Sequence, residues 1–131
     1  MTQREIELIL TRQLASYLTL PIFIVDPDGT LLFYNEPAEA ILGRRFEETG
    51  EMPVGEWAQI YTVTEDDGTS TPVDELPLMI ALRERRPSHR RVHIRGLDSV
   101  RREIEVTAFP LIGLAGRHLG AVALFWQTPC G

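Results

Sequence analysis

Two histidines, His89 and His93, are the residues of this chain best suited to hold a metal ion. They lie four residues apart, the spacing at which two histidines on a helix bind zinc. The segment around them alternates polar and apolar residues, which predicts a strand, and four strand residues span roughly 13 Å. Because zinc bonds nitrogen at about 2.0–2.1 Å, one ion cannot bridge both side chains. The sequence therefore predicts no metal site, and we expect both histidines at the surface or at a sheet edge.

No combination of residues predicts a catalytic site. The sequence has no Gly-rich phosphate loop, no Gly-x-Ser-x-Gly and no His-Glu-x-x-His. The single cysteine, Cys130, stands beside the last residue, so no internal disulfide can form and a redox role has little support. One catalytic alternative stays open, a small α+β isomerase or hydrolase that uses Glu105 or His93 in a pocket.

The charged segments are explained by solvated loops. Residues 83–91 form the main basic cluster, which would suit an acidic partner or a nucleotide, but a loop between a helix and a strand also explains it. The acids at 65–67 are too few for a calcium loop, which needs alternating oxygen ligands. The formal net charge of −6 argues against nucleic acid as a partner.

The composition is that of an average globular domain. The chain has 131 residues, about one domain, and can bury a core without disulfides or metals. Hydrophobic residues make up 44% and charged residues 24%. No apolar run approaches the roughly 20 residues that span a bilayer, and the N-terminus has no signal-peptide core. We therefore predict a cytoplasmic protein without membrane contacts.

The first residues predict an amphipathic helix from Thr2 to Leu18. Its apolar residues recur at spacings of three and four and fall on one side of the helix. We predict a dimer interface on this side, formed by Ile6, Ile9, Leu10, Leu14 and Tyr17. Such a stripe must be buried against something, either the sheet of its own domain or a second copy of the chain. Pro21 ends the helix.

The next segment predicts a β-hairpin followed by a capped helix. Residues 22–25 and 31–34 are short apolar runs that flank Asp-Pro-Asp-Gly, a tight-turn sequence. Asn35 then precedes Glu-Pro-Ala-Glu, which is typical of a helix start, and Gly43 is placed to end that helix.

The rest of the chain predicts one long helix and three strands. Residues 73–83 are apolar on more than one side and predict a central helix, whereas 64–71 predict a polar loop. Residues 91–95 and 103–109 alternate polar and apolar positions, and 119–126 is apolar on both faces. The order predicts an α+β fold with a single antiparallel sheet of five strands and helices on one face.

This order of elements resembles that of PAS domains, the small sensor and interaction modules of signalling proteins. The resemblance covers roughly Leu20 to Gln127. It is carried by the Asp-x-x-Gly turn at 26–29, Asn35, the helix from Ala38 to Gly43, the segment from Asp74 to Leu82, Gly96, the strand from Ile104 to Pro110, and Gly120 to Phe125. We therefore divide the chain into an N-terminal amphipathic helix (1–19), a PAS-like domain (20–128) and a frayed tail (129–131).

The resemblance also bears on cofactors. Flavin-photoadduct members of the family need a cysteine on a short helix beside the ring, and Cys130 lies at the other end of the chain. Haem-binding members commonly use a histidine on the central helix, which has none here. Haem and covalent flavin are therefore not expected, whereas a non-covalent flavin stacked on Trp57 and Trp126 stays open. Many members also end the last strand with Asp-x-Thr, and this chain has Gln127-Thr128-Pro129 instead.

The resemblance implies a ligand pocket between the inner face of the sheet and the helices. We predict that it is lined by Phe33, Trp57, Tyr61, Leu78, Met79, Leu82, Ile94, Val106 and Leu124. The mostly apolar lining would suit a small apolar or aromatic molecule. A packed core without any ligand explains these residues at least as well, because a stripe of Met and Leu on a helix is normally core.

The function implied is sensory or regulatory. The domain would bind a small apolar ligand, form a homodimer, or dock on a signalling partner or output domain, without catalysing a reaction. A third alternative is a structural dimerisation module that binds no ligand.

Overall fold

The computed structural model of this protein describes residues 9–11, 13–14 and 17–128. Its framework is one antiparallel sheet with the strand order β2-β1-β6-β5-β4-β3. The strands are β1 (Ile22–Val25), β2 (Leu31–Tyr34), β3 (Thr62–Thr64), β4 (Ser88–Arg95), β5 (Arg101–Ile112) and β6 (His118–Gln127). The first and last strands, β1 and β6, pair in the interior of the sheet and join the N-terminal hairpin to the C-terminal meander.

Short helices lie between β2 and β4 along the chain. They are α1 (Glu36–Leu42), α2 (Phe46–Thr49), α3 (Val54–Ile60) and α4 (Pro77–Glu84), with 3₁₀ turns at Val73–Glu75 and Leu114–Gly116. The predicted α+β fold with an antiparallel sheet is confirmed. The structure adds a sixth strand, β3, which the sequence analysis did not predict because three residues are too few to show a period.

The predicted central helix begins later than expected. Residues Val73–Glu75 form a 3₁₀ turn, and Leu76 is extended before α4 starts at Pro77. The cause is Pro77, because the proline ring disfavours the helical conformation of the residue before it. The helix then continues to Glu84, so the chain bends where the apolar pattern alone predicted one continuous element.

Asn35 fixes the junction between the first hairpin and α1, as its predicted capping role requires. Its side-chain oxygen accepts hydrogen bonds from the backbone N–H of Ala38 at 3.2 Å and of Ile22 at 3.0 Å. Its amide nitrogen donates to the carbonyl of Leu20 at 2.9 Å. The side chain is 1% exposed, so one buried group both caps the helix and holds the chain that enters β1.

The C-terminal end of α1 is joined to the turn between β4 and β5. Gly43 ends the helix in the left-handed conformation, with φ of 84°, and confirms the predicted C-cap. The N–H of Leu97 donates to the carbonyl of Leu42 at 2.8 Å. Arg102 adds a hydrogen bond to the carbonyl of Ile41 at 3.1 Å. Helix and hairpin turn are therefore held together by hydrogen bonds between distant parts of the chain.

The two faces of the sheet have different surroundings. The inner face and the helices enclose the main core, to which β5 contributes Ile104, Val106 and Ala108. The outer face carries a smaller apolar group centred on Ile22, Ile24 and Val122. The outer side of β4 and β5 is polar, with ion pairs between the strands.

The N-terminal stripe is solvent-exposed in the single chain. Residues 9–11, 13–14 and 17 are helical, which agrees with the predicted helix in that range. Ile9, Leu10, Leu14 and Tyr17 are 49%, 58%, 62% and 78% exposed. The predicted interface residue Ile6 and the tail at 129–131, with Cys130, lie outside the described residues. None of the helices in the described part of the chain is long and apolar enough to cross a membrane.

Candidate ligand-binding cavity

An apolar cavity of about 80 Å³ lies between the inner face of the sheet, α3 and the start of α4. Four strands of the sheet and the β3 edge contribute to its wall. It is lined by Phe23, Leu42, Trp57, Tyr61, Val63, Leu76, Pro77, Leu78, Val92, Ile94, Ile104, Val106, Ala123 and Phe125. Among these described lining residues, only Tyr61 carries a side chain that can ionise. The cavity therefore suits an apolar molecule, because its wall has almost no charged or hydrogen-bonding groups.

Trp57 lies on α3 and forms one side of the cavity. Its indole N–H donates to the carbonyl of Gly29 in the β1–β2 turn at 2.8 Å. Its ring meets the ring of Phe23 edge to face, with centroids 5.2 Å apart. Both the polar and the apolar part of the side chain are thus engaged, and the residue ties the helix to the first hairpin.

Tyr61 follows α3 and supplies the one side-chain hydroxyl among the described lining residues. Its hydroxyl donates to the hydroxyl of Tyr34 at 3.3 Å. Tyr34 in turn donates to the carbonyl of Arg44 at 2.8 Å and lies 3.2 Å from the hydroxyl of Thr49. Burial, followed by the hydrogen bond with Tyr34, raises the pKa of Tyr61 above its ordinary range, so the phenol stays neutral.

The structure brings five of the nine predicted pocket residues to the cavity wall. These are Trp57, Tyr61, Leu78, Ile94 and Val106. Met79 and Leu82 of α4 are buried in the main core but do not line the cavity. All seven residues lie in the interior between the helices and the sheet. Whether a ligand binds among them stays a prediction.

Two predicted pocket residues lie elsewhere, and the reason is strand geometry. Leu124 packs with the outer-face group, since its neighbours Ala123 and Phe125 take the inner positions of β6. Phe33 is half-buried, pairs with Ile24 and packs against both the outer-face group and the main core. Neither residue lines the cavity described here.

A bulge in the first hairpin decides which residues of β2 face inward. The register shifts between Ile24 and Val25, so Val25 pairs with Leu31 whereas Phe23 pairs with Tyr34. Both Leu31 and Tyr34 are fully buried as a result. If side chains simply alternated between the two faces of the strand, Leu31 and Tyr34 would lie on opposite faces. Sequence reasoning therefore missed Tyr34.

The tryptophan pair proposed for flavin stacking does not share one cavity. Trp126 lies on the outer side of the sheet, where its indole N–H donates to Glu105 at 3.3 Å and its ring lies 6.1 Å from that of His89. Only Trp57 faces the interior. Glu105 and His93 are also on the outer side, paired with charged neighbours there. The interior cavity therefore has neither of the residues that the enzyme alternative required.

Comparisons with known proteins give structural but no sequence matches. No protein-family model matches the chain, and no curated protein sequence matches it. Three similar solved structures are the PAS domain of a protein from Colwellia psychrerythraea, the PAS domain of BvgS from Bordetella pertussis and the LOV protein of Rhodobacter sphaeroides.

The likeness extends over almost the whole chain. The Colwellia domain is 17% identical with a TM-score of 0.65, and the match covers 93% of this chain and 97% of that one. The Bordetella domain is 16% identical with a TM-score of 0.60, and the match covers 93% of this chain and 85% of that one. The Rhodobacter protein is 12% identical with a TM-score of 0.70, and the match covers 97% of this chain and 69% of that one. At these identities the likeness concerns the fold. This chain has the fold of PAS domains.

Proposed function

We propose that this protein is a PAS-type sensory or regulatory domain of signal transduction that admits a small apolar ligand into its interior cavity. The observation that carries the proposal is the cavity itself, because its wall is apolar and borders the sheet and the helices α1, α3 and α4. A ligand there would contact α3 and α4 together and favour the arrangement of these helices that it binds best. Similar structures include a PAS domain from a two-component sensor histidine kinase.

The size of the cavity limits the ligand. A volume of about 80 Å³ is far below the ~300–1,000 Å³ of sites for drug-sized molecules. It is about half of the ~150 Å³ engineered cavity that binds benzene. One similar structure is a light-oxygen-voltage domain described with a flavin analogue. A flavin in this chain would require the side chains of the wall to move apart, so we favour a ligand of a few heavy atoms.

Native mass spectrometry of protein purified from cells, compared with a denatured sample, tests the proposal directly. We expect an added mass that is present in the native spectrum and lost on denaturation. Extraction and identification of that mass would name the ligand. A native mass equal to the denatured mass, combined with no binding of small apolar probes, would favour the alternative of a ligand-free dimerisation module.

Filling the cavity should abolish binding of a small apolar probe. Ala123 lies on β6 and faces the cavity, so Ala123→Leu places three more carbon atoms inside it. With xenon as the probe, which is smaller than benzene, we expect saturable shifts of the methyl resonances of Ile94 and Ile104 in the unmodified protein and none in the variant. Ala40→Leu on the exposed side of α1 is the control and should behave like the unmodified protein. Equal shifts in all three proteins would contradict an interior site.

We further propose that the domain forms a homodimer through the N-terminal stripe and the outer sheet face. This proposal is supported by four large apolar side chains that are exposed on one short helical segment, because exposed apolar surface of this extent is unfavourable in water. The outer-face group of Ile22, Ile24 and Val122 provides a second apolar surface. Each chain would contribute both surfaces, as a symmetric dimer requires.

Charged residues in the stripe should convert a dimer into a monomer. For the double change Ile9→Glu and Leu10→Glu we expect a halved mass by light scattering after gel filtration. The reason is that each carboxylate would have to be buried without a partner in the interface. Leu114→Glu is the control, since Leu114 is 62% exposed and lies outside the stripe, in the turn between β5 and β6. A monomeric mass of the unmodified protein would refute the proposal.

A further inference from the structure

A cluster of three potential metal ligands lies on the outer side of the sheet, away from the cavity. It consists of Asp66, His93 and Glu103, whose ligand atoms all lie within 4.8 Å of one another. The register of the sheet brings two of them together, because His93 on β4 pairs directly with Glu103 on β5. On its other side β4 pairs with β3, where His93 lies opposite Thr64. This pairing places the turn that contains Asp66 beside His93.

The local structure holds both carboxylates toward the histidine. In the turn after β3, Asp67 accepts a hydrogen bond from the N–H of Thr69 at 3.0 Å, and the N–H of Glu65 donates to the carbonyl of Thr69 at 2.8 Å. These bonds fix the backbone on either side of Asp66. Glu103 lies on β5, where its Oε1 accepts a hydrogen bond from the hydroxyl of Thr128 at 3.0 Å and its Oε2 lies 3.5 Å from Nε2 of His93.

The geometry suits a metal ion better than a direct hydrogen bond. Nδ1 of His93 is buried and has no hydrogen-bond partner, although Oδ1 of Asp66 lies only 3.5 Å away. A tetrahedral zinc site with bonds of about 2.0–2.1 Å has ligand-to-ligand distances of roughly 3.3–3.4 Å. The 3.5 Å between Nδ1 of His93 and Oδ1 of Asp66 is close to that value, whereas Oε2 of Glu103 lies 3.5 Å from the other imidazole nitrogen, Nε2. An ion bound to one nitrogen therefore requires one carboxylate to rotate toward it, and the side chains of Asp66 and Glu103 are 86% and 38% exposed.

We propose that Asp66, His93 and Glu103 form a binding site for a divalent transition metal ion of the zinc type. One imidazole nitrogen and two carboxylate oxygens are ligands that such ions accept, and two carboxylates neutralise the charge of the ion. Water would complete the coordination on the exposed side of Asp66. The sequence argument against a metal considered the pair of His89 and His93, which remains unable to share an ion, whereas this site uses acids from two other elements.

A bound ion would fasten the turn after β3 to the β4–β5 hairpin. The same hairpin forms part of the cavity wall on its other side, where Ile94 and Ile104 are neighbours of His93 and Glu103. Val63 of β3 also lines the cavity and pairs with Ile94. Metal binding should therefore slow hydrogen exchange of the backbone amides at 63–70, a readout that does not depend on the measured affinity.

The test is a calorimetric titration of untagged, metal-free protein with zinc chloride, carried out in a Cys130→Ser background that removes the thiol. We expect one ion per chain. His93→Ala and Glu103→Gln should each weaken binding by about tenfold or more. The matched control is His89→Ala, because His89 lies on the same face of β4 but has a single carboxylate, Glu105, at 3.4 Å. Thermal unfolding of each variant without zinc shows whether it is folded.

Three results would overturn the proposal. The first is that folded, unmodified protein takes up no zinc. The second is that His93→Ala and His89→Ala lower the affinity equally, which would mark the uptake as binding by scattered surface groups. Retained affinity in Glu103→Gln, with no change in hydrogen exchange at 63–70, would also refute a site built from these three residues.

Discussion

Replacement of Gly120 by alanine is expected to destabilise the protein by about 3 kcal/mol or more, from backbone strain and overpacking together. Gly120 lies near the start of β6 with φ of +135°, a conformation that other residues rarely adopt. An added Cβ would stand 2.0 Å from the carbonyl oxygen of Val25 and 3.0 Å from Cα of Asp26. Both are backbone atoms of the neighbouring strand and its turn, so neither can rotate away. Urea unfolding followed by circular dichroism measures the loss.

Two other glycines separate the causes of that loss. An added Cβ at Gly68, which has φ of +88°, would meet no atom within 4 Å, so Gly68→Ala should show the backbone strain alone, about 1 kcal/mol. Gly55 lies within α3 with open space around it, and Gly55→Ala should stabilise the protein by about 0.5–1 kcal/mol. If Gly120→Ala cost no more than Gly68→Ala, the close approach of β6 to Val25 would be wrong.

Asn35→Ala is expected to remove about 3 kcal/mol of stability, since it deletes a helix cap and leaves buried backbone groups without partners. The N–H groups of Ile22 and Ala38 and the carbonyl of Leu20 all bond this one side chain. Because the site is buried, water cannot replace the lost bonds without opening the start of β1. The measurement is the free energy of unfolding in urea, with unchanged slope as the sign of an intact native fold.

Asp67→Ala provides the comparison for Asn35→Ala. Asp67 caps a turn in a similar way, accepting from the N–H and the hydroxyl of Thr69, but it is exposed. Water can satisfy the groups that it leaves, so we expect a cost of about 1 kcal/mol or less. Equal costs for the two variants would contradict the role of Asn35 as a buried junction between hairpin and helix.

Local signals in the sequence were sufficient to predict the first third of the fold. The turn at 26–29 works as its residues indicate, with Asp26 accepting from the N–H groups of Asp28 at 2.8 Å and Thr30 at 3.0 Å. The caps Asn35 and Gly43 also lie where their residue types predict. These features depend on bonds within a few residues, and a single sequence contains all the information that they need.

On the strands, the inward face could be predicted only where polarity alternates. Strand β5 has polar residues opposite Ile104 and Val106, and Val106, which was predicted to line the pocket, lies in the cavity wall. Strand β6 is apolar on both faces, and sequence alone offers no contrast that assigns Phe125 to the interior and Leu124 to the outer side. The bulge that turns Tyr34 inward depends on pairing between strands and leaves no local signal.

The Asp66, His93 and Glu103 cluster also could not be predicted from the sequence. Its members lie on a turn and on two strands, and only the register of the sheet brings them together. A search for ligand spacing in the sequence compares residues close to each other along the chain. It therefore tested the histidine pair of β4 and had no means of finding acids that a different strand and turn supply.

The pairing of the first strand with the last has a consequence for synthesis on the ribosome. Ile22 of β1 pairs with Leu124 of β6, about a hundred residues later in the chain. At roughly 5–20 residues per second, β1 and its hairpin partner wait about 5–20 seconds before β6 is made. During that time the edge of β1 (Ile22–Val25) that faces away from β2 has no strand beside it, and unpaired apolar edges promote aggregation. This domain is thus most in need of a chaperone before β6 has been synthesised.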